Sequence, residues 1–394
     1  CIMKSNSKNH RLKNKHPYQS YDYLIIGGGI FGVYTALYLA EKRNKILLCD
    51  IGSDLLKRAS IVNQARLHFG YHYPRSVATA RQANEYKERF ISDHSRFINS
   101  EFKQYYAIAN NGSFTSDDDF LRFCDLIDIP IKQVELKTLF NHNELKNVYI
   151  TEEISFDPVM ISEFYREKIN NNNRIDQKMN TYVSSAYKNN NEWYITLITL
   201  GKEKVLIKTP SVINATYSGL NAVNDIFDGD KLDLIHEISE IALIHSDKLK
   251  NIGLTVMDGS FCSTMPYGLS NLNSLSSVRY THHIRAKGNS PEFDCQKLSD
   301  ECDPNHLYNC NICPVKPKSN YIKMIKQLKR YISNKVDIHY IFSLFGIKTT
   351  LKSSYIDDSR QTIIKKSASN PNYFSLIAGK INSIYAIEKV LSNE

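Results

Sequence analysis

The spacing of apolar and polar positions changes several times along the chain, and each change marks an element. Tyr21 to Ile26 reads YDYLII, a short apolar run rich in aromatic and β-branched residues, which predicts a buried strand. Gly27-Gly28-Gly29-Ile30-Phe31-Gly32 follows at once. From Ile30 to Arg43 the apolar residues Ile30, Val33, Ala36, Leu37 and Ala40 return every three or four positions, the period of a helix laying one face on a sheet. Lys45 to Cys49, KILLC, predicts a second strand and ends in Asp50. Phe156-Asp157-Pro158 introduces a helical pattern over Met160 to Ile169, and the Asn-rich stretch Asn170 to Asn173 reads as a surface loop before another strand. Phe114 to Ile131 and Glu237 to Met265 alternate in short runs and are expected to form antiparallel strands. Met324 to Ile332, which contains KQLKRYI, predicts an amphipathic helix.

The first four of these pieces form a strand, a glycine turn, a helix, a second strand and an acid in register. Gly27 allows the tight turn, Gly29 lets backbone approach a pyrophosphate, and Gly32 lets the helix lie close to the strand. The N–H groups of Ile30 and Phe31 open the helix, where free donors and the helix dipole favour phosphate. Asp50 stands where a carboxylate would accept hydrogen bonds from adenosine ribose hydroxyls, and its charge disfavours a 2′-phosphate and hence NADP. The fingerprint by itself does not separate FAD from NAD.

Composition narrows the class. A chain of 394 residues exceeds the size at which single cores usually stop growing, so two domains are expected. With 42% hydrophobic and 23% charged residues, wholesale disorder is excluded. The net charge of +9 is partly local, because Lys4 to His16 is rich in Lys and Arg and holds no acid. That leader has no aromatic residue before Tyr18 and no apolar helical period, so a solvated tail is expected over residues 1–20 rather than a nucleic-acid or membrane contact. No apolar run reaches membrane-spanning length and no signal-peptide core is visible, which gives the expectation of a cytoplasmic protein with a small-molecule substrate. Cys1 in place of Met fits a fragment, a start at Met3 or a processed lipoprotein.

The next block carries a resemblance. Arg58-Ala59-Ser60, then Asn63-Gln64-Ala65-Arg66-Leu67-His68-Phe69-Gly70-Tyr71-His72-Tyr73, resembles the segment after the fingerprint in the D-amino-acid-oxidase-like family of FAD-dependent oxidoreductases. Phe156-Asp157-Pro158, Tyr182-Val183-Ser184, Val212-Ile213-Asn214-Ala215-Thr216, Asp358-Ser359-Arg360 and Tyr373 to Ile381 are similar to later family segments in the same order. Asp50 stands where the family more often has Glu, and Tyr217 where many members have Gly. The resemblance implies an α/β fold: a discontinuous Rossmann-type FAD/NAD(P)-binding domain over 21–100, 151–230 and 336–394, with an antiparallel-sheet substrate domain over 101–150 and 231–335. It implies FAD as cofactor, with Ser60, Asn63, Arg66, Val183, Ala215, Thr216, Gly379, Lys380 and Ile381 joining the fingerprint residues around it. It also implies hydride removal from a C–N or C–O bond of a small polar, carboxylated substrate. An NAD-linked Rossmann enzyme and a non-catalytic nucleotide-binding scaffold are the alternatives.

A few residues are candidates for chemistry. His68 and His72 lie in the segment that the family places by the flavin, and are open to roles as proton acceptor, flavin attachment point or polar loop. Arg66 and Arg279 are candidate carboxylate anchors, since a guanidinium grips a carboxylate with two parallel hydrogen bonds. Lys380, with the Gly379 turn amides, is a candidate for stabilising negative charge on a reduced flavin. Cys295, Cys302, Cys310 and Cys313 cluster in a Pro- and Asn-containing loop. Structural zinc, reduced thiols and disulfide or redox use are the readings of that cluster.

Overall fold

The structure, a computed structural model, describes residues 18–286, 288–355 and 361–392. The basic leader up to residue 17, Cys1 and the Asp358-Ser359-Arg360 segment lie outside the described residues.

Two sheets organise what is described. The first runs Ile175–Lys178, Ile46–Cys49, Tyr23–Ile26, Ser211–Asn214, Asn372–Ile377 and Ile363–Ala368 in spatial order. Its strands are parallel except the last, which returns antiparallel to Asn372–Ile377. Leu24, Ile25, Leu47, Leu48, Val212 and Ile213 are fully buried, as continuous apolar runs require when both faces of a parallel sheet are covered. The helix Ile30–Glu41 covers one face. A smaller antiparallel sheet, Thr181–Asn189, Glu192–Thr199 and Lys204–Thr209, packs on the other through Trp193, Ile195, Leu197 and Ile207. This is a Rossmann-type nucleotide-binding arrangement, and it assembles segments from both ends of the chain.

The second sheet is large and mostly antiparallel. Its long axis is the pair Leu234–His245 and His339–Leu351, paired from Leu234↔Leu351 to His245↔His339 with a register shift between Leu243 and Ile244. Asn273–Ser277, Cys262–Pro266, Ile252–Met257, Lys103–Ala109 and Leu145–Thr151 extend it. The helix Tyr321–Tyr331 presses Met324, Leu328 and Tyr331 against its back.

Two expectations are corrected. Phe114 to Ile131 is not a pair of strands, because Asp117–Leu126 is a helix. Ser116 caps it by accepting from the Asp119 N–H, and Asp117, Asp118 and Asp119 fill its first turn, where negative charge is favoured. The third nucleotide-binding segment does not start at 336, since His339–Leu351 is paired in the second sheet and the chain returns to the first sheet only at Ile363.

Candidate active site

A cleft of about 1470 Å³ runs between the two sheets. Small-ligand pockets span roughly 300–1,000 Å³, so this one has room for a dinucleotide and a second molecule.

The glycine turn forms its floor. Gly27 has φ +109°, a conformation that L side chains rarely adopt, and a Cβ there would stand 2.5 Å from the Ala215 carbonyl oxygen. A Cβ on Gly32 would stand 1.9 Å from the Gly27 oxygen, so the helix reaches the strand only because this residue has no side chain. A Cβ on Gly29 would meet only Ser60 Oγ at 3.6 Å, which leaves open space above the turn. The Asp50 carboxylate accepts from Gly28 N–H and from Gly52 N–H, both at 2.6 Å, and is thereby fixed at the tip of the second strand. Each oxygen keeps a further lone pair for a hydroxyl. Ile30 N–H donates to Ser60 Oγ at 3.0 Å, so the post-fingerprint loop itself satisfies the first helical amide.

Every residue expected around the cofactor lines this cleft except Gly32, which acts by packing beneath it. Val183 lies at the Asp50 end, and Ala215 and Thr216 line the wall beside the glycine turn. Gly379, Lys380 and Ile381 line it as well. Gly379 N–H donates to Thr362 Oγ1 at 2.8 Å, so that amide serves the turn instead of facing the cleft.

His68, His72 and Tyr73 form a ring cluster there, with centroids 5.4–5.6 Å apart, and the Lys380 ammonium nitrogen sits 4.5 Å from the Tyr73 ring centroid. Burial, with a smaller contribution from the Arg66 charge, lowers the Lys380 amine from its usual range to about 7. Folding therefore favours the neutral amine. The unfolded chain binds the extra proton between that value and the ordinary one, so stability rises with pH across this window. Without FAD, the wild-type chain should gain about 1.4 kcal/mol per pH unit relative to Lys380→Met between pH 7.5 and 9.5. Denaturant titrations of both proteins across those pH values measure the difference, and parallel curves would show that Lys380 is not desolvated.

Arg66 does not act as the expected carboxylate anchor. Its guanidinium is buried and donates to Tyr106 Oη (2.6 Å), Glu153 Oε2 (2.9 Å), Thr255 Oγ1 (2.7 Å) and Ser263 Oγ (2.6 Å). Tyr106 Oη also donates to Glu153 at 2.5 Å. Burial pushes the Glu153 carboxyl up, and the Arg66 charge opposes that shift. Arg66 thus ties the strand Arg66–Leu67 to the second sheet below the His68 cluster. Arg279 is also corrected: it is exposed in the turn after Asn273–Ser277, 5.7 Å from the Tyr280 ring, and does not line the cleft.

The second sheet instead contributes a polar group that the sequence reading missed. Glu237, Ser239, His282 and Lys348 all line the cleft. Ser239 Oγ lies 2.8 Å from His282 Nδ1, Lys348 Nζ lies 3.2 Å from His282 Nε2, and Lys348 and His282 both lie 3.5 Å from Glu237. Alternation along Leu234–His245 puts Glu237 and Ser239 on one face, but only the pairing Glu237↔Lys348 shows that a lysine from the distant strand joins them.

The four loop cysteines do converge. They surround a small apolar cavity of about 20 Å³. Among the described residues, however, no group of three or more His, Cys, Asp or Glu side chains could hold a metal ion, so the zinc reading finds no support. The thiols are free and packed in apolar surroundings.

Residues 22–216 match the family described as FAD dependent oxidoreductase, DAO. Over these residues the chain belongs to the D-amino-acid-oxidase-like family of FAD-dependent oxidoreductases. Over 98% of its length it is 22% identical to the FAD-dependent monooxygenase FPY4 of Fusarium mangiferae, of which the match covers 94%. Its fold is similar to that of L-alpha-glycerophosphate oxidase from Mycoplasma pneumoniae, with TM-score 0.69 and 16% identity over 94% of this chain and 93% of that one. Glycine oxidase from Geobacillus kaustophilus is also similar, with TM-score 0.65 and 12% identity over 93% and 91% of the two chains. The protein is a flavin-dependent oxidoreductase. Among the described residues no helix is long and apolar enough to cross a membrane.

Proposed function

We propose that the enzyme removes a hydride from a C–N or C–O bond of a small, polar, anionic substrate. Bound FAD would supply the hydride acceptor. The residues of the cleft suit its retention: Asp50 for the ribose, the glycine turn with Phe31 for the pyrophosphate, and Gly379 to Ile381 beside the ring. The observation that carries the reading is the cluster of His68, His72, Tyr73 and Lys380 in the wall of the cleft. Lys380, lowered to about 7, can hold or release a proton in the working range, and the Tyr73 ring stands between it and the two imidazoles as a shared neighbour. Lys348 adds a cation from the opposite sheet for a carboxylate or phosphate.

A second reading, oxygen insertion, is favoured by the similarity to a monooxygenase along nearly the whole chain. Anaerobic mixing of the FAD-loaded enzyme with amino acids, 2-hydroxy acids and glycerol phosphates separates the two. Under the first reading one of these donors bleaches the flavin with no nicotinamide present. Bleaching only by a reduced nicotinamide would favour the second.

A further inference from the structure

The four-cysteine segment joins the strand His282–Arg285 to the helix Tyr321–Tyr331, and among its described residues the only regular element is the short turn of helix Asp294–Leu298. Connections beyond about 12–15 residues without structure of their own are uncommon in compact domains and are usually functional. This one leaves the edge of the second sheet and crosses to the adenosine end of the cleft. Arg58 Nη2 donates to the Leu307 carbonyl at 2.8 Å, and Asn309 Nδ2 donates to the Lys57 carbonyl at 3.4 Å. The His306 ring packs edge-on against Tyr182 with centroids 4.3 Å apart and is steadied by Asp303 at 2.9 Å. Tyr182 precedes Val183, and Asp54, Lys57 and Arg58 follow Asp50, so the loop meets the cleft where Asp50 would hold the ribose.

Behind this contact the loop is sealed by sulfur. Cys295, Cys302, Cys310 and Cys313 face one small cavity with Ile238, Phe293 and Ile347. Cys302 Sγ accepts from Tyr308 N–H at 3.3 Å and from Gln296 Nε2 at 3.7 Å. Cys310 lines both this cavity and the cofactor cleft. Burial, then the neighbouring Cys302 and Cys313, pushes the Cys310 thiol up to about 12, which keeps it protonated and slow to react while the loop is closed.

We propose that this loop is a cover for the adenosine half of the bound FAD, held shut by the packing of its four thiols, so that covalent modification of those thiols releases the cofactor. The proposal rests on FAD occupying the cleft as described above.

The test treats FAD-loaded and FAD-free enzyme with methyl methanethiosulfonate. Each thiol forms a mixed methyl disulfide and the reagent leaves as methanesulfinate, with the thiol proton passing to solvent. Peptide mapping gives the rate at each cysteine, and rising flavin fluorescence gives release. Bound FAD should slow labelling of the four loop cysteines about tenfold, and complete labelling should speed FAD release about tenfold, a change of roughly 1.4 kcal/mol in the barrier. Arg58→Ala, which frees the Leu307 carbonyl and leaves the thiols intact, should speed both loop labelling and FAD release. Equal labelling with and without FAD, or release unchanged after labelling, overturns the cover. One equivalent of tightly bound zinc in the purified protein overturns the thiol seal. A protein that takes up no FAD at all contradicts the cofactor reading instead, and is recognised before any reagent is added.

Discussion

Gly32→Ala is expected to yield an enzyme that purifies with little or no FAD, its affinity reduced about 100-fold, or roughly 2.7 kcal/mol. The reason is steric: the new Cβ would lie 1.9 Å from the Gly27 carbonyl oxygen, so the helix Ile30–Glu41 must lift and the turn below it must open. Its first-turn donors then leave the position of the pyrophosphate. Gly29→Ala supplies the control, because its Cβ makes only ordinary contact with Ser60 and projects above the turn. That variant should match the thermal stability of the wild-type apoprotein while still losing FAD affinity. Equilibrium titration with FAD and melting of the apoproteins measure both quantities. A Gly32→Ala variant that binds FAD as the wild type does would show that the helix does not need this close approach.

Arg66→Met is the second large effect expected. It leaves Glu153 buried with Tyr106 and without its guanidinium, with only the His68 imidazole 3.8 Å away, and breaking a buried pair from one side costs about 3–5 kcal/mol. Glu153→Leu in the same chain should recover a large part of the loss, since it removes the stranded acid. The exposed pair Arg330–Glu144, at a similar 2.8 Å, should yield less than about 1 kcal/mol when Arg330 is replaced by Ala, because water screens it. Urea denaturation of the variants reports these differences. Equal losses at the two sites would mean that the Arg66 network carries no special share of stability.

The nucleotide-binding half was legible in the sequence because its chemistry is local. Glycine spacing, one apolar helical face and an acid after the second strand all fall within Tyr21 to Asp50, and the structure holds them in the order in which they are written. His68, His72 and Lys380 could be nominated only through family resemblance, since nothing local brings Gly379 to the end of the histidine segment. The helix Asp117–Leu126 was missed although Ser116 and three successive aspartates announce its start, because the apolar residues that follow also fit short alternating runs. Lys348 was assigned to the wrong half for a different reason. The pairing of His339–Leu351 with Leu234–His245 is a long-range register, and no local pattern encodes it. Arg279 illustrates the reverse error, a residue of suitable type that a turn directs to solvent.

The central claim is that the cleft between the sheets holds FAD through non-covalent contacts. The visible spectrum of the purified protein before and after acid precipitation tests it most directly. The account predicts the bands of an oxidised flavin in the native protein and their complete transfer to the supernatant. A protein with no such bands, even after reconstitution with FAD, or a flavin retained in the pellet, would contradict it.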